Sequence, residues 1–133
     1  MLIKNSLANA LRDLIEKTST PKLAVNLQIE GLEKEVDQNI QVTLYRIIQE
    51  CINNTVKHSG ADKIDISVIQ SYKKITTEIK DNGKGFNPLK ISENKDGIGL
   101  QNMKARIEML KGKMRIDSAA DRGTQVFIEI PIV

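Results

Sequence analysis

Strict alternation of apolar and polar residues in the second half of the chain most constrains its fold. Ile64, Ile66 and Val68 alternate with polar partners, and Ile75, Thr77 and Ile79 do the same after Ser71-Tyr72-Lys73-Lys74. A period of two on both sides of a short polar turn predicts an antiparallel hairpin. Met114 and Ile116, then Val126, Ile128, Ile130 and Ile132, predict a final strand pair around Asp121-Arg122-Gly123. Leu23 to Ile29 alternates in the same way and is closed by Gly31.

Helical spacing appears in three places. Leu7, Leu11, Leu14 and Ile15 predict an opening helix ending near Lys17, broken by Thr18-Ser19-Thr20-Pro21. Between Val42 and Ser59, the residues Leu44, Ile47, Ile48, Cys51, Ile52 and Val56 fit one apolar face. Leu100, Met103, Ile107 and Leu110 predict a helix after Gly99 that ends near Lys111-Gly112. Helices and strands without regular βαβ alternation argue for an α+β fold. The expected architecture is a two-layer sandwich: one mixed, mostly antiparallel sheet with helices on one face.

The strand holding Ile79 runs into Asp81-Asn82-Gly83-Lys84-Gly85-Phe86, and eleven residues on comes Gly97-Ile98-Gly99-Leu100. Glycine lets a backbone approach a ligand and take positive φ. A glycine pair opening a helix places backbone N–H groups and the positive end of the dipole where phosphate is attracted. Asp-Asn-Gly and Asn-Pro are also ordinary turn chemistry, so neither half suffices alone.

A third element adds weight. Glu50, Asn54, Lys57 and His58 sit at i, i+4, i+7 and i+8, so on an α-helix they share an arc of roughly 100°. A carboxylate, an amide and a cation on one stripe form a plausible grip for phosphate and Mg²⁺, which prefers oxygen ligands and shares substrate phosphates. The plainer reading is a solvated polar face. Asn53 projects about 100° away round the helix and is a weaker metal ligand.

Composition narrows the rest. A chain of 133 residues suits one domain. The net charge of +3 is mild and aromatics make up 3% with no Trp, so neither a nucleic-acid footprint nor a base-stacking platform is supported. One cysteine makes no internal disulfide, and with one histidine it makes no Cys/His zinc site. Cys51 lies on the apolar helix face and is expected to act as a small hydrophobe. No stretch reaches the roughly 20 apolar residues needed to span a bilayer, and Met1-Leu2-Ile3-Lys4 lacks the apolar core of a signal peptide.

Taken in order, the motifs resemble the ATP-binding catalytic domain of sensor histidine kinases, within the wider Bergerat fold shared with gyrase and HSP90. Glu50-x-x-x-Asn54-x-x-Lys57-His58 resembles the N box, Asp81-x-Gly83-x-Gly85 the G1 box and Gly97-x-Gly99-Leu100 the G2 box. Arg122-Gly123-Thr124 resembles the Gly-Thr element before the last strand. Tyr45-Arg46-Ile47-Ile48-Gln49-Glu50 and Asn54-Thr55-Val56-Lys57-His58-Ser59-Gly60-Ala61 resemble the nitrate-sensor and desaturase-sensor subgroup. The resemblance covers nearly the whole chain, from about Leu7 to Val133.

The resemblance implies the following roles. Asp81 reads the adenine amino group, Gly83 and Gly85 let the base approach the backbone, and Thr124 adds a hydroxyl contact. Asn54, with Glu50, holds Mg²⁺; Lys57 neutralises phosphate; His58 lines the phosphate region; Gly97, Gly99 and Leu100 complete the pocket. Glu50 either polarises water or orders the metal and its waters. The stretch from Phe86 to Gly97 is the short lid. Residues 1–20 are the end of a connecting helix from an absent dimerisation domain, and 21–133 are the ATP-binding domain.

Implied partners are that dimerisation and phosphoacceptor domain and a downstream response regulator, in the cytoplasm, with a parent kinase that can be anchored in the inner membrane. The chain itself makes no membrane contact. His58 lacks the acidic neighbour of a phosphoacceptor, since Ser59-Gly60 follows it. The alternatives are an anti-sigma-type serine kinase on the same fold and a nucleotide-sensing interaction module without transfer activity.

Overall fold

The computed structural model describes residues 6–31, 36–83, 95–119 and 123–132, with backbone only at 58, 59, 95–101 and 119. Ser6 caps the first helix, α1 (Leu7–Thr18), by accepting from the Asn9 N–H at 3.2 Å. Strand β1 (Ala24–Glu30) follows. Helix α2 (Gln38–Asn54) is capped by Asp37, which accepts from Asn39 N at 2.8 Å. A π-helical turn (Thr55–Ser59) extends α2, and Gly60, at φ 65°, stops it.

Strands β2 (Lys63–Gln70) and β3 (Lys74–Asp81) form the expected hairpin, with Ile66 opposite Ile79. Helix α3 (Lys95–Met109) and strands β4 (Lys113–Ala119) and β5 (Gly123–Pro131) complete the chain.

The sheet order is β1-β2-β3-β5-β4. Among the described strands only β1 and β2 pair in parallel, which is possible because α2 supplies the crossover a parallel pair needs. The alternation read from sequence becomes one buried face. Ile64, Ile66 and Val68 of β2, Ile75, Thr77 and Ile79 of β3, and Val126, Ile128 and Ile130 of β5 all point inward. Leu7, Leu11 and Leu14 of α1, Leu44, Ile47, Ile48 and Ile52 of α2, and Ile107 of α3 cover them in a single core.

The opposite face is polar and cross-paired. Asn26 donates to Asp65 at 3.0 Å, Lys74 meets Glu129 at 2.9 Å, and Arg115 lies over the Phe127 ring at 5.7 Å. Such pairs suit a solvated sheet surface, so the helices sit on one side only. No helix among the described residues is long and apolar enough to cross a membrane.

Two local expectations need correction. Val56, expected on the apolar face of α2, is 61% exposed, while Thr55 is buried at 6%. The change to π-helical winding after Asn54 breaks the 100° step on which the expectation rested.

Helix α3 begins at Lys95, before Gly97 rather than after Gly99. A glycine costs roughly 1 kcal/mol in a helix interior. In the first turn, where N–H groups have no intrahelical partner anyway, it is a weak stop.

At its far end α3 closes at Lys111-Gly112 as expected, with Lys111 in the left-handed conformation at φ 64°. Gly112 N–H bonds Ile107 O at 2.8 Å and Lys111 N–H bonds Glu108 O at 2.9 Å, a Schellman closure. Gly112 is needed for another reason: a Cβ there would lie 2.7 Å from Glu129 O.

Candidate functional site

The inner face of the sheet turns polar at one end. Asp81 closes β3 and pairs with Thr124 at the start of β5, which in turn faces Ser118 of β4. This row continues the inward-facing, mostly apolar rows Ile79–Val126–Ile116 and Thr77–Ile128–Met114. The C-terminal end of α2 reaches the same place, because Thr55 Oγ1 lies 3.1 Å from Asp81 Oδ2.

Asp81 is only 8% exposed. Its Oδ1 accepts the Gly83 N–H at 2.9 Å and its Oδ2 accepts from Thr55. The first bond is the Asx turn that Asp-Asn-Gly predicts. The second was not foreseen. A carboxylate has about four lone-pair sites, so each oxygen keeps capacity for a ligand donor.

Asn82 is a second residue the motif reading passed over. Its Oδ1 accepts from Asp62 N and Lys63 N, both at 3.1 Å, and its Nδ2 donates to Asp62 Oδ1 at 2.6 Å. These bonds tie the residue after Asp81 to the start of β2. On the other side Gly123, at φ +80°, packs so closely that a Cβ would lie 2.3 Å from Asp81 O and 3.4 Å from Asn82 Cα. The glycine read as a hairpin or motif residue is therefore required by a backbone approach to Asp81.

Thr124 Oγ1 lies 2.9 Å from Ser118 Oγ, and Ser118 Oγ also donates to Gly123 O at 3.2 Å. The hydroxyl expected at the base site is thus held by a neighbouring strand.

Glu50 and Asn54 are one turn apart on α2 and both half-buried. Asn54 Oδ1 is buried and has no hydrogen-bond partner among the described residues. An unpaired buried amide oxygen is costly and is the kind of hard ligand that Mg²⁺ takes, so the residues fit the metal. Among the described residues there is no cluster of three His, Cys, Asp or Glu side chains. Asn53 is exposed, as its direction on the helix requires.

Cys51, next to Glu50 on α2, is buried in the core. Desolvation pushes its thiol up to about 12, with the charges of Glu50 and Asp81 adding to the shift. The thiol therefore stays protonated and behaves as the small hydrophobe expected.

Lys57 is exposed on the π turn, so the stripe Glu50-Asn54-Lys57-His58 does not continue on one α-helical face. The His58 side chain, Gly85, the stretch from Phe86 to Asn94 and Arg122 lie outside the described residues. Gly97, Gly99 and Leu100 are placed as backbone in the first turns of α3, a helix that packs against α2 and β4.

A family model described as histidine kinase-, DNA gyrase B-, and HSP90-like ATPase matches residues 39–133. The signal transduction histidine-protein kinase/phosphatase DegS of Brevibacillus brevis is 38% identical over 103 residues, 77% of this chain and 26% of that protein. DegS of Bacillus subtilis (strain 168) is 33% identical over 127 residues, 92% of this chain and 33% of its own length. The sensor histidine kinase ComP of Bacillus subtilis (strain 168) is 32% identical over 133 residues, 99% of this chain and 17% of ComP. The chain thus spans a third or less of these relatives. Among solved structures, the histidine kinase domain of the Erythrobacter litoralis EL346 blue-light activated histidine kinase superposes with a TM-score of 0.72 at 16% identity. That match covers 95% of this chain and 59% of the other, and likens the fold alone.

Proposed function

Because this chain belongs to the histidine kinase-, DNA gyrase B- and HSP90-like ATPase family, we propose that it binds Mg-ATP. It then donates the γ-phosphoryl group to a histidine on a separate dimerisation domain of a two-component sensor kinase. The observation that carries this reading is the meeting of two chemistries at one end of the sheet. Asn54 presents a buried oxygen with no partner among the described residues, and its neighbour Thr55 bonds the buried carboxylate of Asp81.

In this reading Asp81 accepts from the adenine amino group, Gly83 and Gly85 allow the base close to the backbone, and Thr124 contacts the base. Asn54 holds the metal with Glu50, Lys57 offsets phosphate charge as a mobile point cation, and His58 lines the phosphate region. Gly97, Gly99 and Leu100 border the phosphates at the start of α3. A bound Mg²⁺ supplies charge neutralisation on the phosphates. Phosphoryl transfer needs mainly positioning and charge stabilisation, so the protein groups have only to hold the donor in line.

Residues 1–20 belong to the connection from the dimerisation domain, and a response regulator takes the phosphoryl group downstream, in the cytoplasm. Tyr45 to Glu50 and Asn54 to Ala61 support the nitrate-sensor and desaturase-sensor subgroup.

Two measurements test this. Asn54→Ala is expected to weaken binding of Mg-ATP severalfold and to remove most of the difference between affinities measured with Mg²⁺ and with EDTA. A variant that kept the wild-type Mg²⁺ dependence would take the metal away from Asn54. Incubated with γ-labelled ATP, the chain alone is expected to stay unlabelled. Adding the histidine-bearing dimerisation domain of its parent is expected to give acid-labile label, weakly because the parts are untethered. Stoichiometric acid-labile label on His58 in the chain alone would overturn the separate-acceptor reading.

A further inference from the structure

We propose that Thr55 is a specificity-determining positioning residue of the base pocket, a role that rests on the nucleotide reading above. Its side chain is buried, and among the described residues its hydroxyl has Cys51 O at 2.9 Å and Asp81 Oδ2 at 3.1 Å as acceptors in reach. A hydroxyl carries one proton and two lone pairs. When that proton goes to Cys51 O, a lone pair of Thr55 faces a carboxylate oxygen at hydrogen-bond distance, which is repulsive. With Asp81 ionised, the proton therefore goes to Oδ2, and charge-assisted hydrogen bonds of this kind are the stronger ones.

The consequence is geometric. Gly83 N–H holds Oδ1 and Thr55 O–H holds Oδ2, so the plane of the carboxylate is set by contacts on both oxygens. The lone pairs left over form an edge that only accepts. Such an edge suits a 6-amino purine and rejects a 6-oxo purine, whose oxygen would face a second acceptor. A site built to pair a ligand N–H discriminates strongly against an analogue lacking it, because the buried group is then left unpaired. Thr55 keeps that edge aimed without itself touching the ligand.

Thr55 also links the two halves of the site. It follows Asn54 directly and stands at the change from α to π winding. A residue that merely back-bonded to the preceding turn, as Thr does in many helices, would need only Cys51 O. The contact to Asp81, 26 positions away, is what the helix alone does not require.

The test is calorimetry of ADP and inosine diphosphate, both in EDTA to keep the metal grip out of the measurement, on the wild type, Thr55→Val and Thr55→Ser. Thr55→Val removes the hydroxyl at nearly constant volume. It is expected to lower ADP affinity roughly three- to tenfold, within the range for a lost hydrogen bond. It is also expected to narrow the ADP-over-inosine-diphosphate preference by a similar factor, and Thr55→Ser restores both. If Thr55→Val does not fold, Thr55→Ala is read in its place, since alanine suits a helix and sets no methyl against the carboxylate. A variant with wild-type affinity and preference overturns the role of Thr55 while the nucleotide reading stands. So does one that loses both ligands equally, which marks a structural residue. Absence of ADP binding by the wild type overturns the nucleotide reading itself.

Discussion

Asp81→Asn is expected to weaken ADP and ATP together by roughly ten- to a hundredfold, the cost of losing a charged hydrogen bond in a buried site. The structure indicates how the amide would sit. At the Oδ1 position an NH₂ would oppose the Gly83 N–H, donor against donor. At the Oδ2 position it can donate to Thr55, whose own proton then turns to Cys51 O at 2.9 Å. The fold therefore tolerates the change, and the edge that took a ligand amino group now offers a donor. Calorimetry with both nucleotides reads the loss, and a thermal midpoint near that of the wild type shows that folding is not the cause. Because the base is common to both ligands, the two affinities fall in parallel. If ADP bound the variant as tightly as the wild type, Asp81 would be removed from the base site.

Gly123→Ala is expected to be the most destabilising single-methyl change at this end of the sheet. At φ +80° an L-residue is already strained, and the new Cβ would lie 2.3 Å from Asp81 O, backbone that cannot rotate aside. The strain of the left-handed conformation is about 1–2 kcal/mol. Relief of the clash means parting β3 from β5 at the Asp81–Thr124 pair, with loss of hydrogen bonds at about 1 kcal/mol each. Together these predict roughly 3 kcal/mol or more of lost stability and a fall in Tm on the order of 10 °C. The displaced carboxylate also predicts weaker ADP binding by the fraction that stays folded. Thermal unfolding checks the first and calorimetry below the transition the second. A Tm within a degree or two of the wild type would show that the strands separate here at no cost.

Much of the architecture was legible because burial has a local signature. The alternation at Ile64, Ile66, Val68 and at Val126, Ile128, Ile130 states which side of each strand meets a core, and Leu44 to Ile52 states the same for α2. The polar residues of the motifs could be placed at element ends for the same reason, as could the Asx turn at Asp81. Cys51 was legible as an inert buried thiol from its position on the apolar stripe.

The tertiary structure decided the rest. Val56 and Thr55 differ by one position, and only the π turn determines which of them is buried. Lys111 takes the left-handed position, and Gly112 is wedged between α3 and β5, where a side chain would strike Glu129 O. The partners of the site residues, Thr55 with Asp81, Asn82 with Asp62, and Ser118 with Thr124, join neighbouring elements of the fold. Periodicity reports the environment of a side chain averaged over its own element. It does not encode cross-strand register or the end at which a helix meets a sheet, since those follow from how the whole core packs. The residue types that could bind a nucleotide were therefore written in the chain, whereas the hydrogen bonds that aim them exist only once the sheet is assembled beneath α2.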